Sequence, residues 1–489
     1  MEACPRLIIS ALRGGAGKTV LSIGIIAAWK TSGKTISPFK KGPDYIDAGW
    51  LSLAAGETCY NLDTFLIDQE HILSSFLSHS KGDIAVIEGN RGLYDGIDTE
   101  GATSTAELAK LLKTPVILCI DCTKSTRTMA AAVLGCLHFD PDVDIKGVIL
   151  NRVAGPRHEM NLRRNIEHHC GVPVMGAVPK LGSQNFPERH MGLVPTHEHE
   201  WAKNSVNAAS LIAEKYLDLD ALARVAFEAS IYAVSGKPSQ NPESESWLHP
   251  EADRTDREIS TDRVFPEKSV SEIRKKPRIG IVRDSAFQFY YPENIESLYA
   301  LGAELVFVSP LSPSGIQEQE LRNLDALYIG GGFPETHAEE LAENVGFRNE
   351  LKTLAENGLP IYAECGGLMY LGEELVLDGK SYPMTGVLPV VFGFSKKPQG
   401  HGYTVLSVEG KNPYFKVGTE IRGHEFHYSK VLEWRGNDKD LVFSMKRGTG
   451  FINNRDGICY KNVLATYTHI HAMGMPFWAE AVVRNAIQK

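Results

Sequence analysis

The sequence predicts an α/β protein built from two doubly wound domains that a charged linker joins. Short, nearly uninterrupted apolar runs alternate with helical stretches in both halves of the chain, as expected for parallel strands covered on both faces. Between the halves, residues 235–277 are rich in Ser, Pro and charged side chains and show almost no apolar periodicity. We therefore expect domains at 1–233 and 278–489, with a linker at 234–277.

Four strands are expected in each half, with helical stretches between them. The first half also has a helix over 18–30 that follows its first strand closely. In doubly wound sheets, ligands bind beyond the carboxyl ends of the strands, so polar residues at those ends are the first candidates for function. The expected strands are 6–10, 84–88, 115–121 and 147–151 in the first half, and 278–282, 304–308, 326–330 and 360–364 in the second.

Charge balance and cysteine content disfavour several classes of protein. The 489 residues include 51 Lys and Arg against 60 Asp and Glu, and the net charge of −9 disfavours nucleic acid as a partner. A local basic site could still bind an acidic small molecule. The longest apolar run near the N-terminus, 23–29, is far shorter than the roughly 20 residues of a membrane span, and we identify no signal peptide. Eight scattered cysteines fit a reducing compartment, so we expect a cytoplasmic protein without membrane partners.

A phosphate-binding loop is predicted at 11–19, Ala-Leu-Arg-Gly-Gly-Ala-Gly-Lys-Thr, between a strand and a helix. Its glycines let backbone N–H groups turn inward, and the helix N-terminus adds partial positive charge. Lys18 would meet the outer phosphates and Thr19 would offer a hydroxyl to Mg²⁺. Leu12 replaces the first glycine of the standard pattern, so the loop is a deviant one with Arg13 as its extra cation; a simple helix-capping turn is the alternative. The candidate nucleotide-binding residues are Arg13, Gly14, Gly15, Gly17, Lys18, Thr19, Lys40 and Asn151.

Acidic side chains follow the loop in two Gly-containing stretches, 38–47 and 88–96. The first also carries two lysines beside a Gly-Pro turn, a combination suited to phosphate, metal and an anionic substrate together. Glu88 ends an expected strand, where a carboxylate can hold Mg²⁺ directly or through water. Asn151, at the end of a later strand, either contacts the adenine ring or forms an ordinary strand-end turn. The acids concerned are Asp44, Asp47, Glu88 and Asp95.

These motifs resemble the cobyrinic acid a,c-diamide synthase family over nearly the whole chain. Residues 1–233 resemble its ATP-binding amidation domain, and residues from 278 to about 485 resemble its glutamine amidotransferase domain. The resemblance implies a P-loop domain like that of dethiobiotin synthetase, followed by a domain like the class I glutamine amidotransferases. The motifs that carry the first part are 38–47, 61–63, 88–96, 150–153 and 187–193.

The resemblance also implies the chemistry. The family uses ATP and Mg²⁺ to activate the a and c side-chain carboxylates of a corrinoid, and ammonia from glutamine then displaces phosphate. It implies that Thr19, Glu88 and Asp44 bind the metal and that Asp44, Asp47 and Asp95 lie at the site shared by ATP, metal and tetrapyrrole. The implied ligands are thus ATP, Mg²⁺, glutamine and a corrinoid or related tetrapyrrole, and we expect a homodimer.

The second half carries a candidate glutaminase pair. Cys365 follows an apolar strand at a sharp turn into a helix, and a helix N-terminus is expected to lower the pKa of its thiol. Its thiolate could attack the glutamine amide and form a thioester. The family pattern Tyr-x-His makes His469 the base, with His471 in reserve. His471 occupies the position where related amidotransferases carry an acid, which leaves the group that orients the imidazole unassigned. Backbone N–H groups of 330–332 could bind the oxyanion.

The prediction is a glutamine-dependent amide ligase that amidates the a and c carboxylates of cobyrinic acid through an acyl phosphate. The alternatives within the class are enzymes acting on hydrogenobyrinic acid or nickel-sirohydrochlorin, and the cobyric acid synthase type. A partitioning-type ATPase would share the phosphate loop but would have no use for Cys365. A catalytically inactive scaffold is disfavoured by the intact Cys365 and His469.

Overall fold

The computed structural model describes residues 4–180, 188–189, 192–193, 202–235, 276–313 and 315–489. Most of the predicted linker at 234–277, and part of the motif at 187–193, therefore lie outside the described residues. No helix of the described residues is long and apolar enough to cross a membrane.

The first half alternates strands and helices. Its strands are β1 Arg6–Ala11, β2 Ile36–Lys41, β3 Tyr60–Leu62, β4 Ile84–Glu88, β5 Val116–Asp121, β6 Ile145–Val153, β7 Val174–Pro179, β8 Glu188–Arg189 and β9 Gly192–Leu193. Its helices are α1 Lys18–Thr31, α2 Tyr45–Ala55, α3 Gln69–His79, α4 Thr105–Leu112, α5 Arg127–Phe139, α6 Pro156–Cys170, α7 Ala202–Tyr216 and α8 Leu219–Ser235.

Seven of these strands form one sheet in the order β3-β2-β4-β1-β5-β6-β7, and every pairing in it is parallel. Leu7 and Ile9 of β1 pack into one apolar core and Ile8 into another, so both faces of the sheet are covered. Lys40 at the end of β2 is the register partner of Glu88 at the end of β4. The parallel register thus brings two candidate site residues side by side at the carboxyl edge.

The second half has more strands than predicted. They are β10 Arg278–Val282, β11 Phe287–Phe289, β12 Glu304–Val308, β13 Ala326–Ile329, β14 Gly331–Gly332, β15 Ile361–Glu364, β16 Glu374–Leu377, β17 Lys380–Pro383, β18 Val390–Phe394, β19 Gly400–Val408, β20 Glu420–His427, β21 Ser429–Trp434, β22 Leu441–Arg447, β23 Arg455–Tyr460 and β24 Val463–Thr466. The helices are α9 Pro292–Ala300, α10 Ile316–Arg322, α11 Ala338–Glu343, α12 Val345–Glu356, α13 Gly366–Leu371 and α14 Pro476–Gln488, with 3₁₀ turns at Pro334–His337 and Asp438–Asp440.

The main sheet of the second half is mixed. Its order is β12-β10-β13-β15-β24-β23-β22-β19-β20; pairing is parallel from β12 to β24 and antiparallel beyond. All eight predicted strands are present, and the predicted fold class is confirmed. The antiparallel extension was not predicted, because half-exposed strands such as β19 alternate apolar and polar residues and lack a continuous apolar run.

The two halves pack against each other through polar contacts as well as apolar ones. Tyr403 Oη donates to Asp63 Oδ2 at 2.7 Å, and Tyr291 Oη donates to the Pro43 carbonyl at 3.2 Å. Both contacts join the second half to segments that follow β2 and β3. The carboxyl edge of the first sheet therefore faces the second half.

Candidate active site

The predicted phosphate loop lies between β1 and α1, as its spacing requires. Gly15 and Gly17 have φ values of 72° and 87°, a region that favours glycine. A Cβ on Gly17 would also lie 2.3 Å from Asn151 Nδ2, so a side chain does not fit there. Lys18 opens α1 and is 7 % exposed, and burial lowers the pKa of its ammonium group.

Two other residues predicted to bind the nucleotide make hydrogen bonds to protein groups in or near the loop. Asn151 Nδ2 donates to the Ala16 carbonyl at 2.8 Å and so braces the loop from β6. Arg13 is exposed, and its guanidinium donates to Asp121 Oδ2 at 3.0 Å. A Cβ at Gly14 would meet no atom within 4 Å, so space alone does not require a glycine at this position. For these residues, contact with ATP stays a prediction.

A buried cluster of opposite charges lies beside the loop. Lys40 Nζ is 2.6 Å from Asp47 Oδ2 and 3.1 Å from Glu88 Oε1. Thr19 Oγ1 donates to Glu88 Oε1 at 2.7 Å and lies 3.5 Å from Asp47 Oδ2. Lys40 is 1 % exposed and Glu88 fully buried, so the ions stabilise each other in a site with little water. The two carboxylates raise the pKa of Lys40 against the effect of burial.

The cluster fits a divalent cation. Glu88 Oε2 is buried without a hydrogen-bond partner, next to the loop threonine hydroxyl. The described residues contain no group of three or more His, Cys, Asp or Glu side chains able to hold a metal. An ion here would therefore draw its remaining ligands from phosphate and water, the usual way in which proteins bind Mg²⁺ with nucleotides.

Asp44 and Asp95, predicted near the substrate, each accept a hydrogen bond from a nearby backbone N–H. Asp44 caps α2 by accepting from the Asp47 N–H at 2.8 Å, and Asp95 Oδ2 accepts from the Gly92 N–H at 2.8 Å. Burial, together with the nearby Asp47, raises the pKa of Asp44 to about 6. Asp47, rather than Asp44, contacts Thr19. The metal role predicted for Asp44 thus receives no support from these contacts.

Both aspartates line a cavity of about 430 Å³ between the two halves. The second half contributes part of its wall, including the imidazole of His469. Arginines lie at this cavity from both sides, Arg91 from the first half and Arg447 from the second, and both are exposed. The cavity therefore connects the predicted carboxylate site with the predicted glutaminase base.

Cys365 occupies a strained turn between β15 and α13. Its φ of 47° and ψ of −98° are unusual for a residue with a side chain, as found at nucleophile turns. It is 5 % exposed, and burial raises the pKa of its thiol, with Glu335 adding to the effect. The predicted lowering of this pKa is wrong, because burial and neighbouring carboxylates raise it.

His469 follows β24, the strand next to β15. The Cys365 N–H donates to the Thr466 carbonyl at 2.8 Å, so the thiol and the imidazole follow adjacent strand ends. Buried Asp456 holds the intervening turn, because its carboxylate accepts from the Thr466 hydroxyl at 2.7 Å and from the Tyr467 N–H at 3.1 Å.

Glycines lie against the imidazole and directly after the nucleophile of the predicted pair. A Cβ on Gly331 would lie 2.4 Å from His469 Cε1, and a Cβ on Gly366 would lie 3.0 Å from the Gly332 nitrogen. The loop predicted to bind the oxyanion thus lies against both the imidazole and the start of α13. Gly330 donates its N–H to Tyr290 Oη at 2.7 Å, and residues 331–332 form β14, which pairs with β11, so binding of the oxyanion by this loop stays a prediction.

Sequence reasoning missed that Tyr45, from the predicted carboxylate site of the first half, packs against the predicted glutaminase site of the second half. Tyr45 stacks on Phe289 with ring centroids 5.3 Å apart and an interplanar angle of 3°. Its ring also lies 5.5 Å from that of His469. Tyr45 lies between Asp44 and Asp47 in the predicted motif, but nothing in the sequence shows which part of the second half it meets.

Comparison with known proteins identifies both halves. A family model described as "CobQ/CobB/MinD/ParA nucleotide binding domain" matches residues 7–193, and one described as "CobB/CobQ-like glutamine amidotransferase domain" matches residues 278–477. A cobyrinate a,c-diamide synthase from Magnetococcus marinus is 42 % identical over 481 residues, covering 98 % of this chain and 97 % of the relative. The synthase from Archaeoglobus fulgidus is 38 % identical over 487 residues, covering 99 % and 98 %.

Proposed function

Because the chain belongs to the cobyrinate a,c-diamide synthase family, we propose that it amidates the a and c carboxylates of cobyrinic acid at the cavity between its two halves. It is a glutamine-hydrolysing amide ligase of cobalamin biosynthesis with a nucleotide-binding domain that supports the use of ATP. The observation that supports this location is that Asp44, Asp95 and His469 line the same cavity. Ammonia released near His469 would reach the substrate carboxylate through this cavity.

The first half activates the substrate. Backbone N–H groups of the loop and the Lys18 ammonium hold the phosphates of ATP, so that a substrate carboxylate attacks the γ-phosphorus and ADP leaves. The product is an acyl phosphate. Thr19 and Glu88, with Asp47 nearby, would hold Mg²⁺, which when bound neutralises charge on the phosphates.

The second half supplies the nitrogen. His469 accepts the thiol proton as Cys365 Sγ attacks the carboxamide carbon of glutamine, and the proton leaves with ammonia as the thioester forms. Water then hydrolyses the thioester to glutamate. Ammonia attacks the acyl phosphate in the cavity, the new C–N bond replaces the C–O bond, and phosphate leaves. Because burial raises the pKa of Cys365, its proton transfer depends on a base beside it.

The arginines at the cavity suit a substrate with many carboxylates. The guanidinium groups of Arg422 and Arg447 lie 5.8 Å and 5.9 Å from the Phe65 ring centroid. Arg91 and Arg447 line the cavity, one from each half, and with the nearby Arg422 they form a basic patch on a chain with a net charge of −9. We assign this patch to the peripheral carboxylates of the tetrapyrrole that are not amidated, because guanidinium pairs well with carboxylate. The homodimer, the cytoplasmic location and the lack of nucleic-acid and membrane partners stay predictions.

A mass-resolved turnover assay tests the substrate. Protein with ATP, Mg²⁺ and glutamine is given cobyrinic acid, hydrogenobyrinic acid or nickel-sirohydrochlorin, and each amidation lowers the product mass by about one unit because NH₂ replaces OH. We expect a diamide from cobyrinic acid. If a product formed only from hydrogenobyrinic acid or nickel-sirohydrochlorin, that ring would be the substrate and the type of enzyme would stay the same. ATP hydrolysis without any amide product would contradict the proposal.

A further inference from the structure

The glutaminase half needs a group that fixes the orientation of its base, and the sequence leaves that group unassigned. Two positions after His469, the chain carries His471 in place of an acid. A base of this kind usually has one ring nitrogen bonded to a carboxylate, which leaves the other nitrogen free to accept a proton.

We propose that Glu364, the residue directly before the nucleophile, is this positioning carboxylate. The proposal rests on the proposed role of His469 as glutaminase base. Glu364 Oε2 lies 3.4 Å from His469 Nδ1, and the Glu364 side chain is fully buried. His469 Nδ1 is itself buried and has no hydrogen-bond partner, so the facing carboxylate is its available acceptor.

The carboxylate of Glu364 is held firmly in place. Its Oε2 accepts from Tyr328 Oη at 3.1 Å, and its Oε1 accepts from the Ile470 N–H at 3.2 Å. The second contact ties it to the backbone directly after His469. Glu364 is therefore anchored to the segment that carries the imidazole, and its position directly before Cys365 places it at the nucleophile turn.

This arrangement selects one tautomer of His469. A proton on Nδ1 faces the carboxylate, and Nε2 then carries the lone pair that accepts the thiol proton. Tyr45 and His424 face the ring from other directions, with centroids 5.5 Å and 4.9 Å away, and neither offers a second carboxylate. Glu364 also stabilises the imidazolium that forms when the thiol ionises.

The chain contains a matched pair that serves as a control. His471 Nε2 lies 3.4 Å from Glu293 Oε2, the same separation, and both side chains are buried. Glu293, however, lies at the contact between the halves, where its Oε1 accepts from Ser75 Oγ at 3.3 Å. Replacing Glu293 thus removes a buried His-facing carboxylate without touching His469.

The test compares Glu364→Gln with Glu293→Gln in the full-length protein. For Glu364→Gln, we expect glutaminase kcat to fall by about 10²- to 10⁴-fold with little change in KM for glutamine. The acidic limb of its kcat/KM profile should move to lower pH, because the imidazolium loses its stabilising charge. Amidation driven by added ammonium should stay near wild type. Glu293→Gln should leave glutaminase kcat within about threefold.

Two further variants distinguish an error in the role of His469 from an error in the role of Glu364. His469→Asn tests the base, and a retained glutaminase activity in it would remove the premise in the proposed function. If His469→Asn is inactive but Glu364→Gln keeps the wild-type kcat and pH profile, the assignment of Glu364 is overturned. Should Glu364→Gln lose its fold, Tyr328→Phe decides, because it frees the carboxylate without removing it. We expect a loss of about tenfold in kcat, and an unchanged kcat would also overturn the assignment.

Discussion

Replacing Lys40 with Met should destabilise the first half strongly, although the two side chains are similar in length. The Lys40 ammonium is the buried counter-ion of two carboxylates, at 2.6 Å from Asp47 and 3.1 Å from Glu88. Its removal leaves two like charges close together, one of them fully buried. Removing one partner from a buried ion pair costs about 3–5 kcal/mol.

The expected effect is large enough to measure by thermal unfolding. In a domain of about 150–250 residues, each kcal/mol lowers Tm by about 2–4 °C, so Lys40→Met should lower it by about 6–20 °C. Lys41→Met is the control, because Lys41 is equally buried but donates to the backbone carbonyl of Thr103. Burial lowers the pKa of Lys41, so its loss also relieves an unfavourable ionisation. We expect a shift of about 2–4 °C for Lys41→Met.

Calorimetry without nucleotide or metal distinguishes the two variants. A Lys40→Met shift no larger than that of Lys41→Met would refute the reasoning. It would mean that Asp47 and Glu88 do not depend on the ammonium for their charge.

Two further predictions concern the second half. Asp456→Asn should lower the free energy of unfolding by about 1–3 kcal/mol in urea titrations, because the amide nitrogen cannot accept from the buried donors around it. An unchanged midpoint would show that the turn before His469 does not need this carboxylate. Arg447→Ala should raise KM for the tetrapyrrole by about tenfold, the worth of one charged hydrogen bond, and leave glutaminase kcat unchanged. A changed glutaminase kcat with an unchanged KM would contradict its assignment to the substrate.

Continuous apolar runs were enough to predict eight of the parallel strands but not β2, β3, β7 and β24. Motif spacing was enough to predict the phosphate loop and the turn at Cys365. These features depend on neighbours in the chain. The long-range contacts were out of reach, because the sequence shows neither the register that pairs Lys40 with Glu88 nor the packing that brings Tyr45 against Phe289.

The pKa of Cys365 also depends on long-range contacts that the sequence does not show. A local rule predicted a lowered pKa from the helix N-terminus, but burial and carboxylates from separate segments raise it. The acid facing His469 was missed for a related reason. Sequence reasoning looked for it two residues after the histidine, whereas Glu364 lies 105 positions earlier and meets it across two adjacent strands.

The most direct test of the account is the nitrogen source used by Cys365→Ala. With cobyrinic acid, ATP and Mg²⁺, the wild type should form the diamide from amide-¹⁵N glutamine, with both new nitrogens labelled. Cys365→Ala should form none from glutamine, yet should form the same diamide from added ammonium at a rate close to that of the wild type with ammonium. Labelled diamide from glutamine in this variant, or loss of the ammonium reaction with the fold intact, would contradict the division of labour between the two halves.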